Sequence, residues 1–113
     1  MQCETTVRHV DGFAIVDLRG DLTLMSGPET IRPVLSNLLD QGHSHIVLGC
    51  AGIGQSDSAG IGELVSCHAL VNRRGGILKL AAVSDRLAAL LHSTGLDQMI
   101  EAYSDEREAM SSF

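Results

Sequence analysis

The chain has no tryptophan and only 3% aromatic residues, so it offers little on which a base or a sugar ring would stack. Basic residues are scarce: 8 Lys and Arg stand against 14 Asp and Glu, a formal net charge of −6. That balance argues against nucleic acid as the main partner, because phosphate backbones are bound by a basic footprint. No apolar run approaches the about 20 residues of a membrane span, so no membrane insertion is expected. The start, Met1-Gln2-Cys3-Glu4, lacks the basic and apolar regions of a signal peptide, so the expected location is the cytoplasm. Cys3, Cys50 and Cys67 are odd in number and form no C-x-x-C pair, which fits small buried thiols in a reducing compartment. No G-x-x-x-x-G-K-[ST] occurs, and Gly52-x-Gly54 and Gly60-x-Gly62 are incomplete as phosphate loops. No cofactor is expected.

At 113 residues with 44% hydrophobic content, the chain has material for one core and reads as a single domain, 1–113. Residues 5–10 and 13–18 are short apolar runs separated by Asp11-Gly12, a hairpin signal because both turn residues tolerate positive φ. Gly20-Asp21-Leu22-Thr23 then ends the hairpin. Ser26 or Gly27 reads as a helix cap, with Pro28 first in the helix. Ile31, Val34, Leu35, Leu38 and Leu39 share one helical face. Pro33 requires either a kink or a later helix start, and Gly42 ends the helix.

Residues 44–50, with Ile46-Val47-Leu48, read as a buried strand, and residues 51–60 as a glycine-rich turn. A second helix starts near Asp57 or Ser58 and runs through Ile61, Leu64, Val65, His68, Val71 and Asn72 to Gly75-Gly76. Residues 77–83 form another buried strand, and Ser84 caps a helix over 85–93 that stops at Gly95. Met99-Ile100 suggests a short edge strand, and 105–110 a terminal helix, with the last few residues fraying. Hairpin first and alternation later imply an α/β fold: a mixed sheet, parallel in its later part, packed with about four helices.

The stretch with chemistry is Asp57-Ser58-Ala59-Gly60-Ile61-Gly62. It displays a hydroxyl beside a carboxylate at a helix start, where unpaired N–H groups favour an anion, including a phosphate carried by that serine. Two glycines there each cost about 1 kcal/mol relative to Ala, so helix propensity does not explain them. The plain alternative is an ordinary helix cap. A serine hydrolase would need a positioned imidazole, and no spacing sets His9, His43, His45, His68 or His92 against Ser58. His43-x-His45 lacks a third metal ligand at suitable spacing and reads as a solvated turn. Leu22, Leu24 and Met25 form an apolar loop that either lies near the Ser58 site or, the favoured reading, is tucked under the first helix.

This segment resembles the signature of the STAS family, most closely its bacterial anti-sigma factor antagonists: apolar strand, short loop, Asp-Ser-(Ser/Thr/Ala)-Gly-(Leu/Ile)-Gly, apolar helix. Gly20-Asp21-Leu22-Thr23, Gly75-Gly76-Ile77 and Leu87-x-x-Leu90-Leu91-x-x-x-Gly95-Leu96 extend the likeness over most of the chain. Thr23, Gly49, Gln55-Ser56 and Ala59 depart from common family choices. The resemblance implies a STAS-like fold and a protein-binding module, not an enzyme. It implies binding to an anti-sigma factor that is also a serine kinase, phosphorylation at Ser58, and a phosphatase that reverses it. The implied contact strip is Asp21, Leu22, Thr23, Met25, Asp57, Ser58, Ala59, Gly60, Ile61 and Gly62, with Gly60 and Gly62 permitting close docking. The alternative within the family is a STAS subunit of another assembly, a lipid-transport complex or a stressosome-like scaffold.

Overall fold

A computed structural model describes residues 2–113. The sheet runs in the order β1-β2-β3-β4. Strands β1 (Glu4–Val10) and β2 (Phe13–Leu22) form the expected antiparallel hairpin. Asp11 and Gly12 both take positive φ, 50° and 84°, which matches the turn to the twist of the strands. Strands β3 (His45–Ser56) and β4 (Ile77–Ala81) add in parallel. Helices α1 (Ile31–Asp40), α2 (Ser58–Arg73) and α3 (Asp85–Ser93) connect and cover them, and α4 (Glu106–Ser111) ends the chain.

The alternation along β2 divides the core. Ala14, Val16 and Leu18 meet Ile46, Leu48, Leu78 and Leu80 beneath α1, α2 and α3. Ile15, Val47 and Ala81 face the other way and pack on Ala109 of α4. All three cysteines are free and buried. Burial pushes the thiols of Cys50 and Cys67 up to about 12, so neither is ionised near neutral pH.

One charge interrupts the second apolar layer. Lys79, only 4% exposed, lies in β4. Its ammonium donates to the carbonyl and hydroxyl of Ser112, each at 2.8 Å, and pairs with Glu101 at 2.7 Å. The Phe113 ring stands 4.6 Å away. A buried ammonium persists only when such partners replace its water. Arg8 of β1 bonds Asp17 of β2 and Glu106 of α4, so charge pins α4 at both ends of its small apolar footing.

Several boundaries differ from the sequence reading. Helix α1 begins at Ile31, after 3-10 turns at Leu24–Ser26 and Pro28–Thr30. Pro33 therefore lies in its first turn, where a missing N–H costs nothing. Ser26 does not cap α1; its hydroxyl closes the preceding turn on Thr23. Residues 51–56 are no turn but the second half of β3, pairing with Arg19, Gly20 and Leu22. The register slips twice there, and a Cβ on Gly52 would lie 2.7 Å from the Leu18 carbonyl oxygen. Glycine is present because the neighbouring backbone leaves no room, not because the chain turns. Residues 82 and 83 lie beyond β4. The expected strand at Met99-Ile100 is absent; after a 3-10 turn, Leu96–Gln98, a single bridge joins Ala102 to Leu80. No described helix is long and apolar enough to cross a membrane.

If 51–56 is a packed strand, Gly52→Ala destabilises the protein by about 1–3 kcal/mol, the usual cost of overpacking. Urea denaturation of the purified variant measures it. A flexible turn at this point would tolerate the methyl group with little change.

Candidate functional site

Strand β2 ends at Leu22 and β3 ends at Ser56, and these two residues are register partners. The chain leaves β3 through Asp57, whose backbone is extended (φ −133°, ψ −179°) and whose N–H donates to the Leu22 carbonyl at 3.1 Å. The Asp57 carboxylate then reaches in two directions. Oδ1 accepts from the Gly60 N–H at 2.9 Å, capping α2. Oδ2 accepts from the Leu24 N–H at 3.0 Å, holding the 3-10 turn that follows β2. One side chain thus joins the head of the helix to a loop 33 residues earlier in the chain. These donors keep the Asp57 carboxyl below its ordinary value of 3.8, the Gly60 N–H contributing most.

Ser58 follows as the first residue of α2 and is exposed, as is Ala59. Among the described residues nothing accepts from or donates to its hydroxyl. The helix dipole favours negative charge at this position. Across the cap stand the side chains of the held turn: Leu24 is 70% exposed and Met25 90%. This corrects the expectation that they tuck under the first helix. Leu24 was not among the expected contact residues; continued alternation after Leu18, Gly20 and Leu22 would have turned it inward, and the 3-10 turn that begins at Leu24 breaks that alternation. Asp21 accepts from the Gln55 N–H at 2.9 Å, which ties β2 to β3 and lowers the Asp21 carboxyl below its usual range. Thr23 is half-buried, and its backbone closes on Ser26.

Leu22, Gly60 and Ile61 take another role than the one expected of them. All three are buried, so they lie beneath the exposed residues of the expected strip and not among them. A Cβ on Gly60 would sit 1.8 Å from the Leu22 carbonyl oxygen. Gly60 therefore lets α2 close on β2 within the molecule, and no external partner is needed to explain it. Gly62 is exposed, and a Cβ there would meet nothing within 4 Å. The surface group is Asp57, Ser58, Ala59 and Gly62 from one side, with Asp21, Thr23, Leu24 and Met25 from the other.

The imidazoles lie elsewhere. His45 opens β3, at the end opposite Asp57, and its ring packs against Phe13 and Phe113. His9 packs on His43. His92 bonds Asp97 through Nδ1 at 2.8 Å. His68 is about 15 Å along α2 from Ser58, at 1.5 Å per residue. None of these contacts includes Ser58, and among the described residues no group of three or more His, Cys, Asp or Glu could hold a metal ion.

A mixed sheet covered by α1, α2 and α3, with a capped serine heading the middle helix, makes a small α/β domain. The STAS domain family model matches residues 4–109, and the chain belongs to that family. It is 30% identical over 101 residues to the anti-sigma-B factor antagonist of Bacillus subtilis (strain 168), spanning 89% of this chain and 91% of that protein. An anti-sigma factor antagonist from Mycobacterium paratuberculosis shares the fold, with a TM-score of 0.83 at 18% identity, over 98% of this chain and 93% of the other. The Bacillus cell fate determinant SpoIIAA, solved in its phosphorylated form, also matches, with a TM-score of 0.69 at 21% identity, over 96% and 98%.

Two outcomes test this geometry. Gly60→Ala destabilises by about 3 kcal/mol, the upper end of overpacking costs, whereas Gly62→Ala stabilises by about 1 kcal/mol through helix propensity. Thermal melts of the pair decide it. Separately, Asp57 has a folded-state pKa below its unfolded value. Its contribution is complete above about pH 3.8 and is lost as pH falls through the lower folded value. Asp57→Asn should therefore flatten the acid limb of the stability profile, as read by fluorescence-free circular dichroism melts across that range.

Proposed function

We propose that this protein is an anti-sigma factor antagonist switched by phosphorylation of Ser58. The unmodified chain docks on an anti-sigma factor through Leu24, Met25, Ala59 and Gly62, with Asp21 and Thr23 at the margin. Docking occupies the anti-sigma factor and releases its sigma factor. The names of the relatives support this partner class, and the setting would be the bacterial cytoplasm, where kinase, ATP and sigma factor meet.

The observation that carries the reading is the exposed Ser58 hydroxyl, flush with two of the most exposed apolar side chains of the molecule. A kinase would transfer the γ-phosphoryl of ATP to the Ser58 oxygen, with ADP leaving and the hydroxyl proton lost to solvent. The product carries roughly −1.5 to −2 charges beside Asp57. The head of α2 tolerates that charge within this protein. A surface closed over Leu24 and Met25 does not, because a hydrated dianion would have to be desolvated against it. Release therefore needs added bulk and charge at one atom, without refolding. A phosphatase would restore the docking form. The site supports binding over catalysis, since among the described residues no imidazole or second carboxylate bonds to Ser58 to activate it.

Incubation with a cognate serine kinase and ATP should place one phosphate, on Ser58, as read by mass spectrometry. In calorimetry against that kinase, Ser58→Glu should bind roughly ten-fold or more weakly than Ser58→Ala, a difference of about 1.4 kcal/mol or more. Equal affinities, or label on another residue, would count against the switch.

A further inference from the structure

Strand β1 closes one end of the sheet, so its outer edge has no neighbouring strand. The turn bond of Asp11-Gly12 joins Val10 to Phe13, which makes that register pair a hydrogen-bonded one. In an antiparallel ladder such pairs alternate with non-bonded ones. Arg8, Thr6 and Glu4 therefore bond inward to β2. The N–H and C=O groups of Thr5, Val7 and His9 point outward, and among the described residues no other backbone group reaches them.

Edges of this kind are usually blunted by proline, lysine or a bulge. Here there is none of these: the register runs unbroken from Glu4 to Val10, and the segment contains neither residue type. The charges on β1 are already engaged, Arg8 with Asp17 and Glu106 and Glu4 with Arg19. On the helix side a groove of about 370 Å³ follows the edge, lined by Thr5, Val7, His9, Val34, Asn37 and Gln41. No carboxylate lines it. Val7 is 38% exposed within it.

We infer that the outer edge of β1 pairs with the same edge of a second copy, antiparallel about a two-fold axis at Val7. The register is set by the outward groups. Only with Val7 opposite Val7, and Thr5 opposite His9, do all three outward residues find partners. Slipping by two residues leaves one of them unpaired. In this register Val7 covers its own counterpart at the axis, removing two exposed apolar side chains from water. On the opposite face Thr6 stands across from Arg8 and Glu4 across from Val10, so no like charges meet directly. The chain carries a net charge of −6, and because no carboxylate lines this groove a second copy meets no acidic side chain in it. The product is one continuous sheet through both copies, an isologous contact that closes on itself. It involves neither Ser58 nor the turn carrying Leu24 and Met25.

Sedimentation and amide hydrogen exchange on the purified chain test this together. The expected mass at high concentration is twice the 12.0 kDa of one chain, returning to one chain on dilution. The amides of Thr5, Val7 and His9 should slow as concentration rises, while those of Thr6 and Arg8 are slow throughout. Val7→Pro removes an outward donor without touching the bonds to β2, as proline is tolerated on an edge, and should abolish the doubling. A single-chain mass at every concentration would overturn the inference. So would a dimer in which the Thr5, Val7 and His9 amides exchange as fast as in the dilute chain. Should Val7→Pro fail to fold, the exchange pattern of the unaltered chain still decides.

Discussion

The fork made by the Asp57 carboxylate is the contact on which the rest of the proposed docking surface depends. One oxygen caps α2 through Gly60 and the other holds the N–H of Leu24. Without the first, the helix that displays Ser58 has no side-chain cap. Without the second, the turn bearing Leu24 and Met25 loses its tie to that helix. Two segments far apart in sequence thereby present one face. The carboxylate can do this because β2 and β3 end together, with Leu22 opposite Ser56, and because Gly60 has no side chain to keep α2 away from the Leu22 carbonyl.

The sheet is unequally covered, and the inequality has consequences. One face is buried by α1, α2 and α3 over a large apolar layer. The other relies on a short helix over Ile15, Val47 and Ala81, fixed at its ends by Arg8 and Lys79. Charged clamps replace buried area where a six-residue helix supplies little of it. The exposed surface around Ser58, the proposed docking face, stands at the end of β3 away from His45, and the open strand edge lies along β1. The three kinds of surface do not compete for the same residues.

Elements with strong local signals were legible in the sequence. Ser84, Asp85 and Gly95 delimit α3, and its observed span is the expected one. Asp57 could be read as a cap because its partners begin three residues away. Other features depended on pairing that no local pattern records. The glycines at 52 and 54 look like a turn in sequence, yet each faces atoms of β2 that only the folded sheet brings close. Gly60 and Gly62 look alike in sequence, yet one is wedged against backbone and the other stands in open space. The hydrogen bond from Leu24 to Asp57 spans 33 positions and left no trace in spacing.

The most direct test of the shared face is a map of backbone amide shifts on the isotopically labelled chain as a serine-kinase anti-sigma factor is added. The account predicts changes concentrated at Thr23, Leu24, Met25, Ser58, Ala59 and Gly62, and their disappearance once Ser58 carries phosphate. Changes centred away from these residues, or unaltered by the phosphate, would contradict it.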